Sequence, residues 1–229
     1  MTAQHTQSIL DQVDDLNNLT TLNLNDEEIS DLEPLSSLTN LTELNIDFNW
    51  ISDVKSLAPL INLNWLSLEY NQIGDIKPLV SLINLNWLSL EDNQISDIEP
   101  LSLLTNLTKL YLTKNQIDDV NPLASLTSLA TLEICGNQIS DIKPLASLTS
   151  LTYLSLEDNQ IKDIESLMPL TKLTELNLRY NQISDIRPLA SLINLEWLYL
   201  LDNQVSEEDV IWLRKKLPLC RIRALPLTR

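Results

Sequence analysis

Leu85-Asn-Trp-Leu88-Ser-Leu90-Glu-Asp-Asn93-Gln-Ile95 is one copy of a pattern that returns every 22 residues along the chain. Its fixed positions read Leu-x-x-Leu-x-Leu-x-x-Asn-x-Ile, and the first leucine never leaves register. A fixed period of this length is typical of solenoids, in which each repeat packs on its neighbours, so we expect one elongated domain. The nine copies begin at Leu19, Leu41, Leu63, Leu85, Leu107, Leu129, Leu151, Leu173 and Leu195.

Each repeat contains two hydrophobic periods. At the end of Leu-x-x-Leu-x-Leu, apolar residues alternate with variable ones, which predicts a short strand with one buried face. The next segment spaces its apolar residues three apart, as at Ile139, Ile142, Leu145 and Leu148, which predicts a short 3₁₀ or α turn. Because one crossover follows every strand, the strands should pair in parallel. The predicted fold is an α/β right-handed solenoid with a curved parallel sheet on its concave side, short turns on its convex side and helical caps.

Proline and asparagine hold fixed places in the repeat and belong to its architecture. Proline presets φ near the helical value, so it can begin the convex turn. Where Ser56 and Ser166 replace it, Pro59 and Pro169 follow three residues later. The ninth-position asparagine should satisfy backbone groups as a buried ladder, because an unpaired buried polar group costs about 1–3 kcal/mol. The ladder residues are Asn49, Asn71, Asn93, Asn115, Asn137, Asn159, Asn181 and Asn203.

The open ends of a solenoid expose apolar edges and need caps. We assign residues 1–18 to an N-terminal cap and residues 19–205 to the nine repeats. The cap should contain a helix over roughly residues 6–16, because its apolar residues follow helical spacing. These apolar residues are Ile9, Leu10, Val13 and Leu16.

Residues 206–229 are predicted to form the C-terminal cap. Ser206-Glu-Glu-Asp209 resembles a capping box at the start of a helix, and Pro218 should end that helix. Cys220 and Ile222 alternate as in a final strand. The apolar stripe of the helix is Val210, Leu213 and Leu217.

The charge of the chain excludes one class of partner. The net charge is −17, and residues 1–213 hold all 32 acidic groups but only nine basic ones. Such an acidic surface repels phosphate backbones, so nucleic acid is not expected to bind, and a protein with a basic surface fits better. The six basic residues from Arg214 onward suit a solvated helix end and strand.

No signal for secretion or membrane insertion is evident. Residues 1–18 lack a basic region followed by an apolar run. No stretch approaches about 18 consecutive apolar residues, so no membrane span is expected. Cys135 and Cys220 lie four repeats apart, which places their thiols roughly 20 Å apart and beyond disulfide reach. These features favour the cytoplasm, although a signal peptide upstream of Met1 would favour secretion.

The sequence offers no recognisable catalytic or metal-binding pattern. His5 is the only histidine, so a histidine-based triad is impossible. There are two glycines and no Asp-x-Asp-x-Asp-Gly loop, which disfavours phosphate and calcium sites. Glu133, two residues before Cys135, and Glu157, at the same position of the next repeat, should lie near its thiol. These carboxylates should raise the pKa of the Cys135 thiol. We expect no enzymatic activity, no cofactor and no metal.

The longer string Leu-Thr-x-Leu-x-Leu-x-x-Asn-Gln-Ile-Ser-Asp-Ile-x-Pro-Leu resembles the bacterial internalin-like subfamily of leucine-rich repeats. Its period is also that of the SDS22-like group, and the resemblance covers about residues 19–205. The resemblance implies a curved solenoid whose concave face binds another protein, and it implies no catalytic residues. The C-terminal stretch 206–222 looks more like the caps of intracellular bacterial repeat proteins.

The positions between the core leucines should face the concave side, because strand side chains alternate across a sheet. They are the third, fifth, seventh and eighth positions of the repeat. Nine of the eleven aromatic residues lie there, and only Trp50 and Trp212 lie elsewhere. Because tryptophan and tyrosine are enriched at binding hot spots, we predict a partner-binding surface. Its predicted residues are Phe48, Trp65, Glu69, Tyr70, Trp87, Glu91, Asp92, Tyr111, Tyr153, Tyr180, Trp197 and Tyr199.

Within this surface, Trp65 and Trp87 are neighbours in one column and acidic residues border them. This arrangement predicts an aromatic anchor with an acidic rim, suited to arginine or lysine side chains of a partner. The structural alternative is that the rings only stabilise adjacent strands, as cross-strand pairs do.

The sequence therefore predicts a monomeric, non-enzymatic protein–protein interaction module that binds a basic protein. One alternative is a regulatory domain of a larger enzyme, for example a repeat segment before a GTPase, which a downstream Gly-x-x-x-x-Gly-Lys-Ser/Thr would favour. A second is a secreted adhesion domain of the internalin type. A third is a consensus-like engineered scaffold, which the uneven surface columns disfavour.

Overall fold

A single parallel sheet runs through the computed structural model, which describes residues 3–12 and 16–224. Neighbouring repeats pair in register, so that residues 22 apart lie side by side on adjacent strands. The sheet confirms the predicted parallel solenoid. The strands are β1 (Thr21–Asn23), β2 (Glu43–Asn45), β3 (Trp65–Ser67), β4 (Trp87–Ser89), β5 (Lys109–Tyr111), β6 (Thr131–Glu133), β7 (Tyr153–Ser155), β8 (Glu175–Asn177), β9 (Trp197–Tyr199) and β10 (Arg221–Arg223).

The convex side consists of short 3₁₀ turns, as the threefold apolar spacing predicted. Proline stands at the first or second position of most turns. The turns that contain Ser56 and Ser166 are three residues long, as is the proline-containing turn Glu33–Leu35, whereas the other five repeat turns have five residues. The described 3₁₀ turns are Leu16–Asn18, Glu33–Leu35, Lys55–Leu57, Lys77–Ser81, Glu99–Leu103, Asn121–Ser125, Lys143–Ser147, Glu165–Leu167 and Arg187–Ser191.

An aspartate caps almost every convex turn. In the repeat of Asp97, for example, the Oδ1 atom accepts the backbone N–H of Glu99 at 2.9 Å. This short-range bond supplies an acceptor for an N–H that the turn itself leaves unpaired. Part of the acidic excess of the chain therefore serves the fold and does not point to a partner. The capping residues are Asp31, Asp53, Asp75, Asp97, Asp119, Asp141, Asp163 and Asp185.

The repeat leucines and isoleucines form one continuous core between the sheet and the turns. Leu88 and Leu90 flank Ser89 on β4 and are fully buried, as are the corresponding leucines of the neighbouring repeats. Each fully buried leucine or isoleucine contributes about 1.5–3 kcal/mol relative to an exposed one. Because each repeat supplies the same set, the core continues from one repeat to the next without a break.

A buried asparagine ladder links the repeats, as predicted. The Asn115 amide donates to the carbonyls of Leu90, Leu112 and Thr113 at 2.9, 3.1 and 3.4 Å. Its Oδ1 accepts the backbone N–H of Ile95 at 3.0 Å. The same set recurs in each repeat from Asn49 onward, so every ladder residue joins its own turn to the preceding one.

The N-terminal helix lies earlier than the sequence predicted. Helix α1 covers Ala3–Leu10, so the prediction over residues 6–16 was wrong in its bounds. The buried face of α1 consists of Thr6 and Leu10, and the Thr6 hydroxyl donates to the carbonyl of Asp31 at 2.7 Å. Hydrophobic spacing does not reveal such a polar contact. Leu16 begins a separate 3₁₀ turn, and Val13 lies outside the described residues.

The C-terminal cap follows the sequence prediction closely. Helix α2 covers Glu207–Lys216, and the Ser206 hydroxyl accepts the backbone N–H of Asp209 at 3.1 Å. Strand β10 then pairs with β9 and covers the last repeat. Of the basic residues assigned to this end, Arg229 lies outside the described residues.

Replacing Asn115 with alanine should destabilise the protein strongly. Three carbonyls and one N–H would lose their buried partner, and each unsatisfied group costs about 1–3 kcal/mol. Some of them retain a second partner, so we expect a loss of about 3 kcal/mol in the free energy of unfolding. Urea denaturation measures the loss, with Gln116→Ala, an exposed neighbour, as the control. A change of less than about 1 kcal/mol for Asn115→Ala would contradict the role of the ladder.

Candidate partner-binding surface

One face of the sheet is turned away from the leucine core; its third-position side chains are exposed or half-buried, whereas the fifth-position Ser67, Ser89 and Ser155 are buried. On each strand, the third and fifth repeat positions point away from the core because the leucine between them points inward. The seventh and eighth positions continue this face into the loop that follows the strand. We call these four columns the concave strip, and all twelve predicted site residues lie in it.

Five of the predicted residues make ring contacts in the second to fifth repeats, in two separate sets. The rings of Trp65 and Trp87 stack at a centroid distance of 4.3 Å and an angle of 14°. Tyr111 packs against Trp87 at 5.3 Å, and Phe48 stacks on Tyr70 at 4.4 Å. These contacts follow from the register, which places Trp65 directly opposite Trp87. We call Trp65, Trp87 and Tyr111 the first aromatic cluster, and Phe48 and Tyr70 form a separate pair.

Trp197 and Tyr199 lie on β9 and form a second aromatic cluster, with their ring centroids 6.3 Å apart. Arginine residues of the chain itself cover both rings. The guanidinium carbon of Arg221 lies 4.6 Å from the Trp197 ring centre, and that of Arg179 lies 5.1 Å from Tyr199. The cluster is therefore partly occupied before any partner arrives. The sequence prediction did not include these arginines.

Three half-buried carboxyl groups lie in the strip, with Glu69 and Glu91 in the repeats of Trp65 and Trp87 and Glu133 between the two clusters. Burial raises the pKa of Glu69, Glu91 and Glu133, and neighbouring carboxylates raise it further. Among the described residues, no ion pair includes any of these three groups. They are therefore an uncompensated acidic patch, and Glu133 was not among the predicted site residues.

Two other acids of the strip already have partners. Asp92, a predicted rim residue, forms an ion pair with the exposed Lys114 at 3.1 Å. Asp47 is buried and accepts the Ser67 hydroxyl and the backbone N–H of Glu69 at 2.6 and 2.7 Å. Asp92 thus offers less unpaired charge to a partner than its position in the sequence indicated.

Tyr153 and Tyr180 lie apart from the two clusters. Tyr153 is half-buried on β7, where burial and the nearby Glu133 and Glu175 raise its phenol pKa well above the usual value. Tyr180 is an eighth-position residue and 51% exposed. The structure therefore does not gather all the predicted aromatic residues into one group.

The eighth column adopts an unusual backbone conformation. In every repeat its residue has φ between 49° and 60°, the left-handed region, and only one of the nine is glycine. This conformation costs a residue with a side chain about 1–2 kcal/mol, and aspartate or asparagine tolerates it best. Phe48, Tyr70 and Tyr180 place large exposed rings there. The fold does not require these rings, which favours a surface role for them.

The two cysteines are free thiols. Burial raises the pKa of Cys135, with a smaller contribution from Glu133, and its Sγ lies 2.9 Å from the Ser155 hydroxyl. Burial also raises the pKa of Cys220 to about 11. Because a nucleophilic cysteine needs a lowered pKa, neither thiol is prepared for catalysis. In the described ranges, no three histidine, cysteine or acidic side chains form a metal cluster, and no helix is long and apolar enough to cross a bilayer.

Comparisons with protein families identify the repeat. The family description "Leucine Rich repeats (2 copies)" matches residues 12–59, 83–125 and 171–214, which is more than half of the chain. The description "Leucine rich repeat" matches residues 105–161 and 127–183. The comparison with curated protein sequences gives no significant match.

Solved structures share the architecture. An internalin (inlF) from Listeria monocytogenes is 33% identical over 97% of this chain and 74% of its own, with a TM-score of 0.80. Internalin C2 (inlC2) from the same species is 34% identical over 92% of this chain and 83% of its own, with a TM-score of 0.66. The PEPR1–AtPEP1 structure is 25% identical over 75% of this chain and 26% of its own, with a TM-score of 0.69.

Replacing Tyr180 with glycine should leave the protein as stable or make it more stable by up to about 1 kcal/mol, because glycine relieves the left-handed backbone. Tyr180→Val should destabilise it, since a β-branched residue is disfavoured there. Thermal unfolding of the two variants beside the parent chain measures both effects. A marked loss of stability in Tyr180→Gly would show that the ring serves the fold.

Proposed function

The chain belongs to the leucine-rich repeat family and is of the internalin-like type, and from this we propose that its concave strip binds a folded protein with a basic surface. Protein interaction is the general function that this family and fold support. The observation that carries the finer proposal is the stacked pair of Trp65 and Trp87 in the same repeats as Glu69 and Glu91, which no described basic side chain pairs.

Two stacked tryptophans are a suitable anchor for a partner. Trp65 and Trp87 hold each other in place at 4.3 Å, so little side-chain freedom is lost when a partner covers them. Large aromatic side chains at the centre of an interface account for much of the binding free energy. The rigid sheet beneath the rings adds to this preorganisation, because the whole strip is fixed by the register of the strands.

The charge of the strip favours a basic partner. Glu69, Glu91 and Glu133 have no basic side chain in an ion pair with them in the described part of the chain. A net charge of −17 would also attract a basic protein over a longer range and speed association. Both effects should weaken as the salt concentration rises.

The relatives are compatible with this proposal. The PEPR1–AtPEP1 structure places a solenoid with this architecture together with a second molecule. The two internalin structures match this chain over most of their length, so they have the same repeat scaffold.

Replacing both Trp65 and Trp87 with alanine should abolish capture of the partner, because it removes the anchor. The stacked pair is worth about 0.5–1.5 kcal/mol beyond its buried area, so the free energy of unfolding should fall only modestly. Affinity capture from native lysate with mass spectrometry identifies the partner, and the dissociation constant is then measured with the purified protein. Trp50→Ala, which removes an exposed ring outside the strip, is the control and should keep full binding. Retention of binding by the double variant, or a severe loss of stability with binding intact, would contradict the proposal.

A further inference from the structure

We infer that the concave strip contains a receptor for an arginine side chain of the partner, formed by Glu69, Glu91 and Tyr111. This inference rests on the proposed function and makes it more specific, because it names one chemical group that the partner should present.

The chain contains an internal template for such a receptor four repeats later. Arg179 donates to the Glu157 carboxylate at 2.9 Å, and its guanidinium lies 5.1 Å from the centre of the Tyr199 ring. The Asn177 amide donates to the same carboxylate at 2.6 Å. A guanidinium between a carboxylate and an aromatic ring combines a charge-assisted hydrogen bond with a cation–π contact.

The same three repeat positions recur 88 residues earlier in the sequence. Glu69 corresponds to Glu157 and Tyr111 to Tyr199, but Glu91 stands in the place of Arg179. The arrangement therefore keeps the carboxylate and the ring, loses the guanidinium and gains a second carboxylate. Seventh-column residues of adjacent repeats follow strands about 4.8 Å apart, a separation that the two-pronged guanidinium can bridge.

Among the described residues, no basic side chain forms an ion pair with Glu69 or Glu91. Burial raises the pKa of both Glu69 and Glu91, and the Glu69 carboxylate raises that of Glu91 further. Lys114, the lysine of the neighbouring loop, is paired with Asp92 at 3.1 Å and lies 6.0 Å from the Tyr70 ring. Lys109 lies on the adjacent β5 in the third column and is exposed. Neither lysine replaces the missing guanidinium between the two glutamates.

A buried hydroxyl beside Glu69, that of Ser89, also lacks a hydrogen-bond partner. Ser89 lies on β4 at the position that Asn177 holds in the template, and it is fully buried. It is close enough to the Glu69 carboxyl to lower the pKa of that group against the effect of burial, yet its Oγ has no hydrogen-bond partner. An unsatisfied buried hydroxyl is unfavourable. A guanidinium held by the two glutamates has N–H groups left over that could donate to this oxygen.

Arginine fits this site better than lysine. Its guanidinium is planar and carries five donors in a fixed fork, so it can bridge two carboxylates and lie against Tyr111 at the same time. A lysine ammonium is a strongly hydrated point charge and cannot stack in this way. The receptor should therefore distinguish the two side chains and not merely attract positive charge.

The test compares nona-arginine with nona-lysine, which carry the same charge, by calorimetric titration of the full chain at about physiological ionic strength. The parent chain should bind nona-arginine at least about tenfold more tightly than nona-lysine. Glu69→Gln/Glu91→Gln keeps the shape of the site and removes its charge, and it should abolish this preference. The charge-matched control is Asp118→Asn/Glu196→Gln, which removes two exposed carboxylates outside the strip and should keep the preference.

Three results would overturn the arginine receptor: no preference in the parent chain, an unchanged preference in Glu69→Gln/Glu91→Gln, or an equal loss in the control. The thermal midpoint of each variant shows whether it is folded, and removal of like charges should not lower it. If the preference is absent while Trp65→Ala/Trp87→Ala still loses the native partner, the receptor is rejected and the proposed function stands. If the tryptophan variant keeps its partner, the proposed function is rejected separately.

Discussion

A buried asparagine amide joins each repeat to the one before it. Asn115 bonds the backbone of its own turn and that of the preceding repeat, and seven other asparagines do the same at intervals of 22 residues. Because these bonds are buried and join fixed positions of adjacent repeats, they allow one length of repeat and one register. The arrangement of the concave surface depends on that register. It places residues that are 22 apart in the sequence side by side on adjacent strands, so each repeat position forms a column along the sheet.

The concave strip shows what this regularity permits. Adjacent strands in register bring Trp65 onto Trp87, and the same spacing brings Glu69 beside Glu91. At the C-terminal end the chain supplies its own arginines to the rings of Trp197 and Tyr199. The two halves of the strip therefore differ. Arginines of the chain itself cover the rings at the C-terminal end, whereas the carboxylates near Trp65 and Trp87 have no ion-pair partner among the described residues.

Much of the fold could be predicted from the sequence because the repeat encodes it redundantly. The strands, the turns, the asparagine ladder and the Ser206 cap each followed from spacing or residue type. The bounds of α1 could not be predicted, because the bond from Thr6 to Asp31 depends on a repeat that is distant in sequence. The aromatic columns were visible in the sequence, but the coverage of Trp197 by Arg221 required knowing that β10 pairs with β9. Likewise, the partner of Asp92 depends on the conformation of the Lys114 side chain, which sequence spacing does not specify.

Hydroxyl-radical footprinting of the chain with its captured partner tests the central claim most directly, because tryptophans lie both inside and outside the strip. If the concave strip is the binding surface, oxidation of Trp65 and Trp87 should fall several-fold in the complex. Oxidation of Trp50, which is 48% exposed and lies outside the strip, should not change. Protection of Trp50 with undiminished oxidation of Trp65 and Trp87 would place the partner on another face and contradict the account.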